Sequence, residues 1–199
     1  SAETAKWMIE EFIAPRLVGA TFDEPAEALA LIDRDLHANG FAKAAVDIAL
    51  WDLWARSRGV TVSSLIADRE PRPWIPSRVS IGVYPPDETV RLAREFHARG
   101  VRTLKFKTGK PGLDDVARLR AVREALGPAP IFTIDANGAY PTADAAVRAI
   151  EALLPFDLAL VEQPTPRDRI GMLAEVRRRT PVPILVDEAV FTPGHLEEA

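Results

Sequence analysis

Cysteine is absent from the 199 residues, which excludes disulfides and thiolate metal sites and fits a cytosolic protein. Long apolar runs are absent as well. Although 47% of residues are hydrophobic, charges interrupt every stretch, so no transmembrane span is expected. The first residues lack a basic region followed by an apolar one, so no signal peptide is expected. A net charge of −4 excludes the basic footprint of a nucleic-acid binder. Lysine is scarce, with 5 residues against 20 arginines.

That scarcity makes the distribution informative. Where the surface needs positive charge the chain uses arginine, yet three of its five lysines are Lys105, Lys107 and Lys110. Lysine can give up its proton when its pKa is depressed, whereas arginine cannot. A site that needs a base needs lysine.

Residues 1–68 read as helical. Ala5 to Ile13 is amphipathic, and Glu24 to Ala38 is a second helix stopped by Asn39-Gly40. Ala42 to Ser57 is the strongest, with Ala45, Ile48, Ala49, Trp51, Leu53 and Trp54 as its expected apolar face. Pro71, Pro73 and Pro76 mark an inter-domain crossing. From Arg78 the pattern alternates. Strands are expected at Val79–Tyr84, Thr103–Lys107, Ile131–Asp135, Leu158–Glu162 and Ile184–Asp187. Helices between them start at Asp87, Thr142 and Asp168 as N-caps, and at Thr192 with Pro193 in the first helical position. Gly100 and Gly127 supply C-terminal stops. The expected division is residues 1–76, a helical part with its linker, and residues 77–199, five β/α units.

The strand ends carry the chemistry. Lys107 to Asp135 is 28 residues, Asp135 to Glu162 is 27 and Glu162 to Asp187 is 25, each the length of one strand-plus-helix unit. Two lysines and three carboxylates therefore fall at the same end of successive parallel strands, which in a (β/α) barrel is the active-site face. Side chains alternate along a strand. Lys105 and Lys107 share the inward face against Leu104 and Phe106, and Thr133, Asp135 and Asn137 share one against Phe132 and Ile134. Leu158, Leu160 and Glu162 are expected on one face, and periodicity leaves Asp187 and Glu188 open. Three converging carboxylates repel one another unless a cation sits among them, and their oxygens suit a hard divalent ion such as Mg²⁺. Five strands do not close a barrel of about eight. The fold expected is α/β, a partial TIM-like barrel in a truncated chain, with an open doubly wound sheet as the alternative.

Lys105-x-Lys107, Asp135-Ala136-Asn137, Glu162-Gln163-Pro164 and Asp187-Glu188 together resemble the enolase superfamily, and within it the muconate lactonizing enzyme subgroup of the mandelate racemase/muconate lactonizing enzyme family. Ala44 to Leu53 is similar to the last large helix of that family's α+β capping domain. The resemblance implies Asp135, Glu162 and Asp187 as metal ligands, with Asn137 and Glu188 nearby. It implies Lys107 as general base and Lys105 as the group that orients a substrate carboxylate. The cofactor implied is Mg²⁺ or Mn²⁺. The reaction implied is abstraction of a proton α to a carboxylate, giving an enediolate, followed by cycloisomerisation, epimerisation or racemisation. A Lys or His base with Mg²⁺ is the established pattern of enolase-superfamily sites. The capping sheet, its covering loop, strands six to eight and the lysine of strand six are expected to lie outside the chain.

The expected partners are a small carboxylate substrate and further copies of the chain in a homo-oligomer, with no nucleic acid and no membrane. Competing readings are an acid-sugar dehydratase on the same site, a Schiff-base lyase using a barrel lysine, and a non-catalytic barrel. His37 and His97 read as surface residues. His195, in the first turn after strand five, is a candidate by position alone.

Overall fold

The computed structural model describes residues 1–198 of the chain. It forms two compact units, the first spanning Ser1–Ile75 and the second beginning at Pro76. The break falls in the proline-rich stretch, where missing backbone N–H groups leave no ladder to continue.

The first unit holds α1 (Ala2–Met8), a π-helical turn at Ile9–Ile13, α2 (Ala14–Leu17), α3 (Pro25–Asp35), α4 (Gly40–Ser57) and α5 (Val62–Ile66). The amphipathic helix expected over residues 5–13 is thus part of a longer, interrupted one. Ala14 donates its N–H to the carbonyl of Ile9, five residues back. Pro15 has no N–H for the carbonyl of Glu11, and the wider turn lies just ahead of it. α3 ends before Ala38 and Asn39, which adopt left-handed φ of 55° and 60°.

The face expected of α4 is overturned. Ala45, Ile48, Ala49 and Leu53 are exposed and Trp51 and Trp54 half-buried, while Ala42 and Ala55 are the buried residues. The helix is apolar around most of its circumference, so periodicity could not single out the packed side. Trp51 and Trp54 meet edge to face at 5.4 Å, and Trp54 Nε1 donates to the Asp23 carbonyl at 2.8 Å. A small buried cluster joins Ile13, Ile32 and Ala42, with Ala28 and Ala55 also buried.

The second unit runs β1 (Arg78–Ile81), α6 (Pro86–Ala98), β2 (Thr103–Lys107), α7 (Asp115–Leu126), β3 (Ile131–Asp135), α8 (Ala143–Leu153), β4 (Leu158–Glu162), α9 (Ile170–Arg179), β5 (Ile184–Leu185) and α10 (Pro193–Glu198). All pairs are parallel and the strand order is β1-β2-β3-β4-β5. Doubly wound sheets reverse their order at a switch point. A sheet in strict chain order is instead an arc of a (β/α) barrel.

The outward face is apolar. Leu104, Phe106, Phe132, Ile134 and Val161 pack with Leu119, Val122, Ala146 and Ile150 of the helices in one buried cluster. Phe106 and Phe132 meet edge to face at 4.9 Å. Register then puts Lys107 beside Asp135, Asp135 beside Glu162 and Glu162 beside Leu185, so one row of the sheet is charged.

Several expected boundaries move. β1 stops at Ile81 because Gly82 and Pro85-Pro86 follow. β5 has two residues rather than four, so Asp187 and Glu188 lie beyond the ladder. α6 starts at Pro86 and α9 at Ile170, so neither Asp87 nor Asp168 caps a helix. Thr142 does, accepting from the Ala145 N–H at 3.1 Å. Leu158 and Leu160 do not share a face. Phe132 pairs with Leu158 but Thr133 pairs with Leu160. Ala159 is the extra residue of a bulge, which rotates Leu158 into the outer core.

Candidate active site

Asp135 and Glu162 are 1% and 3% exposed. Buried carboxylates need partners, and each has them. Lys105 Nζ donates to Asp135 Oδ2 and to Glu162 Oε1, both at 2.9 Å. Lys107 Nζ donates to the same Asp135 Oδ2 at 2.7 Å and to Asn137 Oδ1. Asp135 Oδ1 accepts from the Asn137 N–H at 3.0 Å, and Asn137 sits at a left-handed φ of 46°. The side chain of Asn137 also donates to Glu188 Oε1. The structure thus joins Lys105, Lys107, Asp135, Asn137, Glu162 and Glu188 in one network.

Arg78 extends it. The guanidinium donates to Glu162 Oε2 at 2.5 Å, so three cations surround two carboxylates. Its sequence signal was available: Arg78 and Ser80 alternate with the apolar Val79 and Ile81, which points an arginine inward. Arg118 had no such signal, being one of several arginines in α7. It is fully buried and donates to the Lys107 carbonyl at 2.8 Å, the Gly82 carbonyl at 2.7 Å and Asp115 Oδ1 at 2.6 Å. It thereby holds the end of β2, which carries Lys107, against the end of β1.

The electrostatics differ along the row. Burial opposes ionisation of Asp135, but hydrogen bonds from Lys107, Lys105 and the Asn137 backbone outweigh it, and the carboxyl lies below its usual range. Burial likewise opposes the charge on Lys105. Glu162 and Asp135 overcome it and hold this ammonium above its ordinary value. The two carboxylates therefore favour the charged form of Lys105. Asp187 moves the other way. Partial desolvation and then repulsion from Glu188, Glu162 and Asp135 push its carboxyl up.

The structure does not gather the three expected ligands into a cage. Among the described residues no three His, Cys, Asp or Glu side chains form a group able to hold a metal as they stand. Asp135 and Glu162 meet through Lys105, whereas Asp187 is exposed. The donor set nevertheless fits a hard cation. All its candidate ligands are carboxylate oxygens, Asp187 is repelled by its neighbours, and Glu188 Oε2 is buried with no hydrogen-bond partner. A divalent ion would compensate both.

His37 is exposed, as expected, whereas His97, expected at the surface, is half-buried with its Nδ1 3.3 Å from the Val101 carbonyl. His195 lines a cleft of about 460 Å³ with Arg167, Ile170, Glu188 and Phe191, and its Nδ1 accepts from the Phe191 N–H at 3.2 Å. It stands outside the hydrogen-bonded network. Among the described residues no helix is long and apolar enough to cross a membrane.

The chain matches the family model of the enolase C-terminal domain-like fold over residues 88–199. It matches that of the mandelate racemase / muconate lactonizing enzyme N-terminal domain over residues 1–67. It is 35% identical over 196 residues to muconate cycloisomerase 1 of Rhodococcus opacus, across 97% of this chain and 52% of that protein. It is 36% identical over 196 residues to the o-succinylbenzoate synthase of Geobacillus kaustophilus, across 96% of this chain and 50% of that one. The solved substrate-liganded complex of the L-Ala-D/L-Glu epimerase from Bacillus subtilis superposes with a TM-score of 0.91 at 32% identity, across 100% of this chain and 55% of the other. The chain spans about half the length of the curated relatives it matches.

Proposed function

The chain belongs to the mandelate racemase/muconate lactonizing enzyme family of the enolase superfamily, and we propose that it supplies most of the site of a Mg²⁺-dependent enzyme that removes a proton α to a carboxylate. The enediolate so formed is reprotonated, in an epimerase or racemase, or expels a β-oxygen and opens a lactone, the reverse of the ring closure by which a cycloisomerase forms the same enediolate before protonating it. One observation carries this reading: the Lys105 ammonium is shared by Asp135 and Glu162, with Lys107 beside it on Asp135, at the C-terminal ends of barrel strands.

Asp135, Glu162 and Asp187 would hold the ion. Bound there, it supplies positive charge against the negative charge that develops on the substrate carboxylate. Lys105, held as a cation, orients that carboxylate. Lys107 is the more accessible lysine, its side chain 31% exposed against 15% for Lys105, and it takes the α-proton. Asn137 keeps both Lys107 and Asp135 in place through its amide and its backbone N–H. Arg118 fixes the carbonyl of Lys107 from behind.

The test is exchange of α-hydrogens with D₂O across a library of dipeptides, N-acyl amino acids and unsaturated dicarboxylates, with and without Mg²⁺, on the complete protein. Mg²⁺-dependent exchange is expected, and Lys107→Arg should lose the exchange on its own face, since arginine keeps the charge but accepts no proton at neutral pH. Exchange that survives in Lys107→Arg on that face, or that ignores chelation of the metal, would overturn the proposal.

A further inference from the structure

Between Glu162 and Pro164 lies a residue that carries no charge and whose side chain hydrogen-bonds to residues 165, 187 and 189. Gln163 is fully buried, and its φ of +36° lies in the left-handed region that non-glycine residues seldom adopt. Its backbone joins both neighbouring strands. The N–H donates to the Leu185 carbonyl at 2.9 Å, and the carbonyl accepts from the Gly138 N–H at 2.8 Å.

The side chain goes further. Oε1 accepts from the Asp187 N–H at 3.0 Å and from the Ala189 N–H at 3.2 Å. Nε2 donates to the Thr165 carbonyl at 2.9 Å. An amide oxygen has two lone pairs and the NH₂ has two donors, so the acceptor side of this group is fully used. β5 ends at Leu185. The ladder therefore stops two residues before Asp187, and one carboxamide oxygen takes over from it. The two N–H groups it binds flank Glu188, whose carboxylate meets Asn137. Buried in a low dielectric, such bonds are strong when made and costly when lost. The left-handed backbone is what turns the side chain across from the end of β4 to the segment after β5, an instance of local strain held at a site.

We propose that Gln163 is the positioning residue for the fifth-strand carboxylates: by binding the N–H groups of Asp187 and Ala189 on one oxygen, it sets the direction from which Asp187 reaches toward Asp135 and Glu162. This rests on the function proposed above, in which Asp187 helps to hold the metal. Hydrogen bonding around metal ligands typically changes affinity by about 10- to 100-fold when removed.

The test compares wild type, Gln163→Met and Gln163→Glu in the complete protein, by calorimetric titration with Mg²⁺ and by amide hydrogen exchange at residues 187 and 189. Methionine fills similar space and offers no strong acceptor. Glutamate places an oxygen at the same reach for the same two N–H groups and, in its protonated form, keeps an O–H donor for the Thr165 carbonyl that Nε2 meets in the wild type. The Met variant should bind Mg²⁺ about 10- to 100-fold more weakly, and its 187 and 189 amides should exchange faster while far-UV circular dichroism is unchanged. The Glu variant should recover most of the affinity and the protection. If Gln163→Met does not fold, Gln163→Asn, one methylene too short to reach both N–H groups, carries the same comparison. A Met or Asn variant with wild-type Mg²⁺ affinity would overturn the proposal, even with a lowered melting temperature, because Gln163 would then serve packing alone. Wild type that fails to bind Mg²⁺ overturns the metal reading and this inference together. A loss confined to the variants leaves that reading intact.

Discussion

The two units solve the problem of burial differently. In the second, an apolar sheet face and its helices enclose one continuous cluster that includes Leu104, Phe106, Phe132, Ile134, Val147 and Ile150. In the first, Ile13, Ile32 and Ala42 form one small buried cluster and Ala28 and Ala55 are buried apart from it, while Trp7, Phe41, Ile48, Leu53 and Ile66 stay exposed. Charge follows the opposite rule. Ion pairs of the first unit, such as Lys6 with Glu10 and Arg56 with Asp52, lie at the surface, where such pairs contribute little. In the second unit the ion pairs of Lys105 and Arg78 reach carboxylates that are 0–4% exposed. Buried charges of that kind are costly and weak evidence for stability. A closed core can carry them, and a thin one cannot. The site therefore sits in the unit that can tolerate it.

The comparison is broken most directly at Asp135. Asp135→Asn keeps the shape of the side chain and removes its charge, leaving Lys105 with Glu162 alone and Lys107 with Asn137. Turnover by the complete protein should fall by at least the roughly 10- to 100-fold seen when hydrogen bonds around metal ligands are removed, with the far-UV spectrum retained. Near-normal turnover at limiting Mg²⁺ would mean that the buried charges serve the fold and not the chemistry.

The row of charge was legible in the sequence because its spacing equals one β/α unit. Lys107, Asp135 and Glu162 end their strands as the alternation pattern required, and strand register then sets them side by side. Three things were not legible. The bulge at Ala159 inverts Leu158, and strict alternation cannot foresee an extra residue. β5 ends early, so the directions of Asp187 and Glu188 depend on a side-chain amide rather than on strand periodicity. α4 is apolar on most sides, so its buried face is chosen by its neighbours. The resemblance to the family came from the motifs, and it named roles that geometry alone leaves open.

The core half of the comparison is sharpened by two truncations measured by chemical denaturation. Phe132→Ala removes a ring that packs on Phe106 and lies beneath the Arg123 guanidinium, 3.7 Å from its centroid. It should destabilise the second unit by about 3–5 kcal/mol. Ile32→Ala is equally buried but belongs to a small cluster that can collapse around the loss, so its cost should lie near the lower end of the range for such changes, about 2 kcal/mol. Equal costs would contradict the difference between a closed and a thin core.

Acid separates the units by charge. The folded-state pKa of Asp135 is below its unfolded value. Its ionised form therefore contributes stability that is present above about pH 3.9 and fades as pH falls through the depressed value. The pKa of Lys105 is raised, so its contribution is complete below its unfolded pKa of about 10.4 and is lost only as pH rises through the higher one. In metal-free protein the second unit should lose stability with falling pH in the window below about 4, and Asp135→Asn should flatten that part of the profile. An unchanged slope in the variant would show that other carboxylates govern acid unfolding.

The smallest effect is expected on the exposed face of α4. Ile48 is 70% exposed, and a side chain already in water has little transfer free energy left to lose. Ile48→Ser removes an apolar group from the surface but also replaces a residue of middling helix propensity with a comparable one. In the 199-residue chain the change in unfolding free energy should stay within about 0.5 kcal/mol. The same substitution in the complete protein makes the measurement decisive. A cost still within that range means that the face meets solvent there too, and the thin core of the helical unit is all that it has. A cost of about 1.5–3 kcal/mol, the value for burying an isoleucine, would mean that further chain or a partner covers α4. The two units would then differ only in where the rest of each core comes from.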